Sequence, residues 1–339
     1  MSEGAELTTV NAESAVAGGC RPYQVNKATG DVRIITPRGV VMNSLLKEKE
    51  WAAIDAAVLE AALAPLRGVA DLRAQGLTTP LGGIGTLVSQ WYTGSELTGA
   101  DVNMTGQGRG ERDLPDLKQA GVPVPVIFKE FVIDARTLEA SRRMGDGLDT
   151  TSARMAARVV AEKMETMLFS GVTAQLNGAI LYGYRTHPDR NTDTASNYGG
   201  GDWGTIANIV PTVSGAINAA YLDNHYGPYV LYVSGTQFNQ AAYSFYTDGT
   251  GQTALDRLRT LNGISDIRMV PPGYLADGEA ILIQMDREVV DWAEALGVTT
   301  LEWASGDGMT SMFKVMTICA PRVKSRYDGK SGIVHITGC

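Results

Sequence analysis

Apolar residues recur at helical spacing across 45–66: Trp51, Ile54, Val58 and Ala61 or Ala62 share one stripe, which Leu59, Leu63 and Leu66 widen. Ser44 stands at the expected N-cap and Gly68 where a C-terminal stop belongs. A second helical run, 150–170, puts Ala153, Ala156, Val160, Met164 and Met167 on one face. Asp149 or Thr150 caps it and Gly171 ends it. At about 1.5 Å per residue such a helix is roughly 30 Å long, the span of a small domain. On another face Arg154, Arg158 and Glu162 follow at four-residue steps, suited to local ion pairing. A weaker period covers 203–220 through Ile206, Val210, Val213 and Ile217, and Pro211 predicts a kink or a division there.

Between the first two helices the pattern changes. Residues 86–92 have strand composition, and 122–128 alternate through Val122, Val124, Val126 and Phe128. Pro123 and Pro125 interrupt the second run, and proline cannot donate to a ladder, so this strand belongs at a sheet edge. Residues 93–121 are polar and carry Gly99, Gly106, Gly108 and Gly110. Loops this long are uncommon inside a compact domain. Two strand-like flanks with a long polar tip predict a projecting β-arm over 86–133. An isolated hairpin is marginal in water, so the arm is expected to lie on another subunit.

The rest of the chain reads as α+β. Residues 1–43 form a polar arm with a short extended run at 32–36, either a free tail or an arm ordered against a neighbour. Residues 181–202 are loop-rich. Strands are expected at 229–233, 267–270, 280–285, 298–303, 312–319 and 333–336. Helices are expected at 236–245 and 253–261, the latter capped by Thr253 and stopped by Gly263.

Composition narrows the function classes. Glycine supplies 39 of 339 residues, well above an ordinary fraction of roughly 7%. Lys and Arg number 29 against 37 acids, a net charge of −8, which gives no reason to expect a tight grip on a phosphate backbone. No apolar run is long enough to cross a membrane as a helix, and the acidic N-terminus lacks the apolar core of a secretory signal. Cys20, Cys319 and Cys339 suggest neither a disulfide framework nor a zinc site, consistent with synthesis in a reducing cytoplasm.

Candidate chemistry is sparse. Gly199-Gly200-Gly201-Asp202-Trp203-Gly204 matches a dinucleotide glycine pattern, but a loop is expected before it where a strand is required. Gly329-Lys330-Ser331 has the end of a phosphate loop, yet Lys324 occupies the position that needs glycine. His187-Pro188-Asp189-Arg190-Asn191 reads as a hydrogen-bonded turn, and His225 and His335 are distant in sequence. The five tryptophans are scattered, and the basic segment 322–326 is short. No catalytic, cofactor-binding or metal-binding residue is assigned. A soluble enzyme centred on His187 is the remote alternative.

Several segments in order carry a resemblance: Glu50-Trp51-Ala52-Ala53-Ile54-Asp55, Thr137-Leu138-Glu139-Ala140-Ser141-Arg142 and Glu165-Thr166-Met167-Leu168-Phe169-Ser170-Gly171. Tyr182-Gly183-Tyr184 with 187–191, and Gly227-Pro228-Tyr229-Val230-Leu231-Tyr232-Val233, complete the set. Together they resemble the tailed-phage major capsid proteins of the Hong-Kong-97-type fold, shared with the encapsulin shell proteins. The resemblance covers about residue 45 to the C-terminus, with 1–43 left outside it as an N-terminal arm, and implies a first helix with its connection (44–85) and an extended loop overlapping a neighbour (86–133). It further implies a peripheral domain with spine helix 150–170 (134–220), an axial domain (221–315), and C-terminal strands returning to the peripheral domain (316–339). Self-assembly into pentamers and hexamers around double-stranded DNA would follow, in a virion built in the host cytoplasm. Portal and scaffolding proteins are implied partners, and a decoration protein is a further one. The alternative within the fold is an encapsulin compartment that holds a cargo enzyme.

Overall fold

The computed structural model of the protein describes residues 7–9, 23–26, 31–35, 41–63, 66–100, 102, 104, 112–144, 150–176, 179–247, 249, 251–304 and 310–339. The N-terminal stretch is more regular than its composition suggests. Strands β1 (Leu7–Thr9), β2 (Tyr23–Asn26), β3 (Asp31–Ile35) and β4 (Val41–Lys47) form one antiparallel sheet in that order. Ser44 and Leu45 therefore lie in a strand, and helix α1 starts later, at Glu48–Leu63. Pairing of Ile34 with Met42 and of Ile35 with Val41 supplies hydrogen bonds that local helical periodicity does not register. Cys20, Asp149, Gly106, Gly108 and Gly110 lie outside the described residues.

Helix α1 buries Ile54, Val58, Ala62 and the following Leu66, as the stripe predicts, whereas Leu59 faces outward. Gly68 does not end this helix. It begins another, α2 (Gly68–Ala74), and its backbone presses so closely on the later spine helix that an added Cβ would sit 2.7 Å from Leu168 Cδ2. Two further helices complete this half: α3 (Ala135–Met144), for which the apolar spacing gives no signal, and the spine helix α4 (Thr151–Ser170). The spine helix buries all five residues of its expected stripe. Thr150 is its N-cap by position but makes no side-chain cap bond.

These helices cover a four-stranded sheet ordered β5 (Thr78–Pro80), β15 (Val290–Ala304), β16 (Thr310–Val323), β8 (Val126–Asp134). Phe313 on β16 stacks on Phe131 of β8 at 5.0 Å and meets the edge of Trp51 at 5.9 Å, joining sheet to α1. Strand β8 lies at the sheet edge but holds neither proline, and Val122 and Val124 are not part of it either. Val122 and Pro123 close β7 (Leu117–Pro123), and the ladder passes to another sheet between Pro123 and Val126.

A second sheet runs β11 (Asn191–Thr194), β17 (Ile333–Thr337), β14 (Glu279–Gln284), β12 (Tyr229–Ser234), β13 (Ile264–Val270), with mixed directions. It sits between two cores. Val230, Tyr232, Ile281 and Ile283 face the spine-helix core, while Tyr229, Leu231, Ala280 and Leu282 face helices α5 (Ile206–Leu222), α6 (Gly235–Tyr243) and α7 (Ala254–Thr260). That double coverage explains why all six residues of β12 are buried and why it reads as an unbroken apolar run.

Of the two outcomes expected at Pro211, division is not seen: helix α5 continues through it as a single element, and the loop-rich 181–202 holds strand β11 besides its turns. The pairing also divides the chain differently from boundaries at 221–315 and 316–339. Strands β15 and β16 belong with β5 and β8, whereas β17 lies beside β14 in the second sheet.

Candidate assembly interface

The expected arm is a hairpin. β6 (Val88–Gly94) pairs antiparallel with β7 from Val88↔Pro123 to Gly94↔Leu117. Beyond the ladder, Ser95 N–H donates to the Asp116 carbonyl at 2.9 Å, and Asp116 N–H donates to Ser95 Oγ at 2.9 Å. The Thr98 hydroxyl donates to Asp113 Oδ2, as does Thr98 N–H at 2.7 Å, and together they hold that carboxyl below its ordinary proton affinity. The hairpin leans on the turn after β16: Tyr327 donates to Asp116 Oδ2 at 3.0 Å, and Arg326 pairs with Glu96 at 3.2 Å.

Its surface is unusually apolar for an exposed element. Leu87, Tyr92, Leu97, Leu114 and Leu117 are 60–94% exposed. The outward face of edge strand β8 continues the pattern with Val126, Phe128 and Val132, each about half exposed. Contiguous exposed apolar surface marks a contact surface, because leaving it in water forgoes the free energy of burial. Among the described residues nothing covers these side chains.

The hairpin's root is polar and buried. Arg322 on β16 forks onto Asp291 of β15, with Nε at 2.7 Å from Oδ1 and Nη2 against Oδ2. Asp291 also accepts from Thr79 Oγ1 at 2.8 Å and faces Lys324 Nζ at 3.4 Å. The free side of the Arg322 fork donates to Ser89 Oγ at 3.1 Å, and the guanidinium stands 6.0 Å from the Trp91 ring centre. Above this root a cleft of about 160 Å³ separates hairpin from body, lined by Trp91, Lys118, Tyr182, His187 and Arg326 among others.

The residues weighed for catalysis do not converge. His187 is buried; its Nδ1 accepts from Asp189 N–H at 3.3 Å, and burial lowers its proton affinity. Arg190 bridges the His187 carbonyl and His335 Nδ1 at 2.7 and 3.4 Å, while His225 bonds Gln284. Among the described residues no group of three His, Cys, Asp or Glu side chains is placed to hold a metal. The glycine run 199–201 packs against α5, where Gly201 N–H donates to Thr212 Oγ1 at 3.3 Å. An added Cβ on Gly200 would fall 2.4 Å from the Asn208 carbonyl, so this glycine serves close packing and leaves no phosphate cradle. Burial pushes the thiols of Cys319 and Cys339 up to about 12, which leaves them as packing groups.

Sequence reasoning missed Glu165. This fully buried carboxylate accepts N–H bonds from Arg67, Gly68 and Val69 at 3.1, 2.6 and 3.4 Å and so seats α2 on the spine helix. Burial raises its proton affinity although those three donors oppose the shift. The Tyr182-Gly183-Tyr184 motif also acquires a physical role. Tyr184 and Arg185 N–H groups donate to the carbonyls of Leu168 and Phe169 at 3.0 and 2.8 Å, capping the spine helix.

A spine helix over a long-stranded sheet, a second sheet covered on both faces and a projecting hairpin define the Hong-Kong-97-type capsid fold, an α+β architecture. The chain belongs to the family of unknown function DUF6260, whose model matches residues 41–336. It is 23% identical over 280 residues to the type 1 encapsulin shell protein EncA of Myxococcus xanthus, covering 82% of this chain and 90% of that one. Among solved structures it is similar to a virus-like particle from Pyrococcus furiosus, with TM-score 0.59 and 15% identity over 84% of this chain and 98% of the other. The capsid of the Myoviridae phage XM1 aligns with TM-score 0.54 and 15% identity, over 81% and 93% of the two chains.

Proposed function

We propose that this protein is a shell subunit that self-assembles into pentamers and hexamers of a closed particle. The exposed apolar hairpin carries this reading: it is a surface made to be buried on a fold otherwise well packed. Closed shells repeat one interface around symmetry axes, and a long arm lets each copy bury surface on the next. In this reading the shell is the capsid of a tailed phage, assembled in the host cytoplasm around double-stranded DNA with portal and scaffolding proteins. The similarity to EncA favours a second reading, a compartment that holds a protein cargo.

Electron microscopy of the purified protein tests the shell directly, with uniform icosahedral particles or capsomers expected. Deleting 99–118 is expected to leave folded subunits that no longer form stable shells. Normal particles from that deletion would sink the assignment of the hairpin. The content of particles from native cells separates the two readings: genome-length DNA supports the phage capsid, and a single enriched enzyme supports the compartment.

A further inference from the structure

The hairpin joins the body through two unlike connectors. Before β6 the chain passes Gly82, Gly83 and Gly85, with Gly83 at φ +91° and open space around all but one of them. From Pro123, the last residue of β7, it passes Val124 and Pro125, and Val124 N–H donates to the Leu87 carbonyl at 2.9 Å. That bond ties the connectors to each other; the hairpin's angle to the body is then set by the contacts it makes there, namely the buried Val122 and Val124, the Tyr327–Asp116 and Arg326–Glu96 contacts and the Ser89 link. A glycine-rich connector is permissive and holds no angle by itself.

The buried Asp291 carboxylate sits at this pivot. It takes Thr79 from β5, Arg322 from β16 and Lys324 just past the end of β16, and Arg322 in turn takes Ser89 from β6. One carboxylate thus links four strands, and only its last link crosses to the hairpin. The guanidinium suits the task because its planar fork fixes direction as well as distance, bonding Asp291 with one edge and Ser89 with another nitrogen. Trp91, on the same hairpin strand two residues on, rests near the same group. Asp291 and Arg322 are 1% and 8% exposed, so solvent does not compete for these bonds.

We propose that the Asp291–Arg322 pair is a built-in latch that sets the projection angle of the hairpin, with Ser89 as the catch on the hairpin side. Arg322 is here a positioning residue for assembly; the consequence for shells rests on the assembly reading above, whereas the latch concerns the subunit itself. Releasing Ser89 removes a buried polar link between hairpin and body and leaves the more exposed Tyr327–Asp116 and Arg326–Glu96 contacts, so the hairpin is expected to range more widely on its glycine connector without either sheet unfolding.

The test places spin labels at Leu97 on the hairpin and Met155 on the spine helix, both well exposed, in a Cys20→Ser background. Distances are read by pulsed electron resonance in the full-length protein with Ser89→Ala and with Arg322→Lys. Ser89→Ala removes the catch and keeps the ion pair; Arg322→Lys keeps the charge and loses the fork. Both are expected to broaden the distance distribution and shift its mean, while the melting temperature of Ser89→Ala stays at the wild-type value. Unchanged distributions in both variants would overturn the latch. So would broadening only in step with a lowered melting temperature, since that marks general loosening. Particle size measured on the same variants reads the assembly consequence separately. A broadened hairpin with normal shells would keep the latch and count against the assembly role of the hairpin.

Discussion

At the residue scale, Glu165 sits where the apolar stripe of the spine helix leaves room for a small or apolar side chain, yet the fold places a carboxylate there to satisfy three N–H groups of the α2 start. Its neighbour Asp71 accepts from Tyr232 at 3.0 Å, and burial raises its proton affinity too. With both carboxyls holding protons more tightly folded than unfolded, their contribution to stability is complete below the ordinary carboxylate range, about pH 4. It is lost as the pH rises through the raised native values. Wild type is therefore expected to gain on Glu165→Gln as the pH falls from 7, seen as a growing difference in melting temperature. A pH-independent difference would show that the carboxylate is not the titrating group. Nothing in the local sequence marks Glu165 as buried, because its partners lie 96–98 residues away.

At the scale of elements, legibility followed the range of the interactions. The spine helix was legible because its period is local, and Met164 at its centre is fully buried. Met164→Asp is expected to unfold the body, since an unpaired buried charge costs several kcal/mol; soluble subunits that assemble normally would mean the buried face is wrongly assigned. The cap of α7 was equally local: Asp256 N–H donates to Thr253 Oγ1 at 3.1 Å and Thr253 N–H to Asp256 Oδ2 at 3.2 Å. Helix α3 was missed because its sequence, ARTLEASRRM, offers few apolar residues to create a period; among its described side chains Leu138 is the one in the core. The start of α1 was placed too early because β4 gains its hydrogen bonds from β3, and pairing across a sheet leaves no helical or capping signature in the strand itself.

For the whole molecule, the charge and the glycine content acquire a setting. A net charge of −8 spread over the chain repels DNA at long range, so a shell of these subunits would hold nucleic acid loosely. Assembled particles are expected to bind DNA weakly, with little salt dependence; tight binding with a steep salt slope would contradict that. The glycines concentrate in part where close contact or pivoting requires them. Gly68 lets α2 meet the spine helix, and Gly82, Gly83 and Gly85 precede the hairpin.

By itself the sequence determined the α+β class, the spine helix with its buried stripe, and two strand-like runs flanking a polar tip. Each of these follows from local period or local backbone chemistry. Only the tertiary structure decided that 290–304 pair with 78–80 and 310–323 with 126–134, that β17 returns beside β14, and that Asp291 joins four strands at the hairpin root. Those outcomes depend on contacts between residues up to 233 positions apart, which are chosen by what buries apolar surface while pairing the backbone polar groups taken out of water.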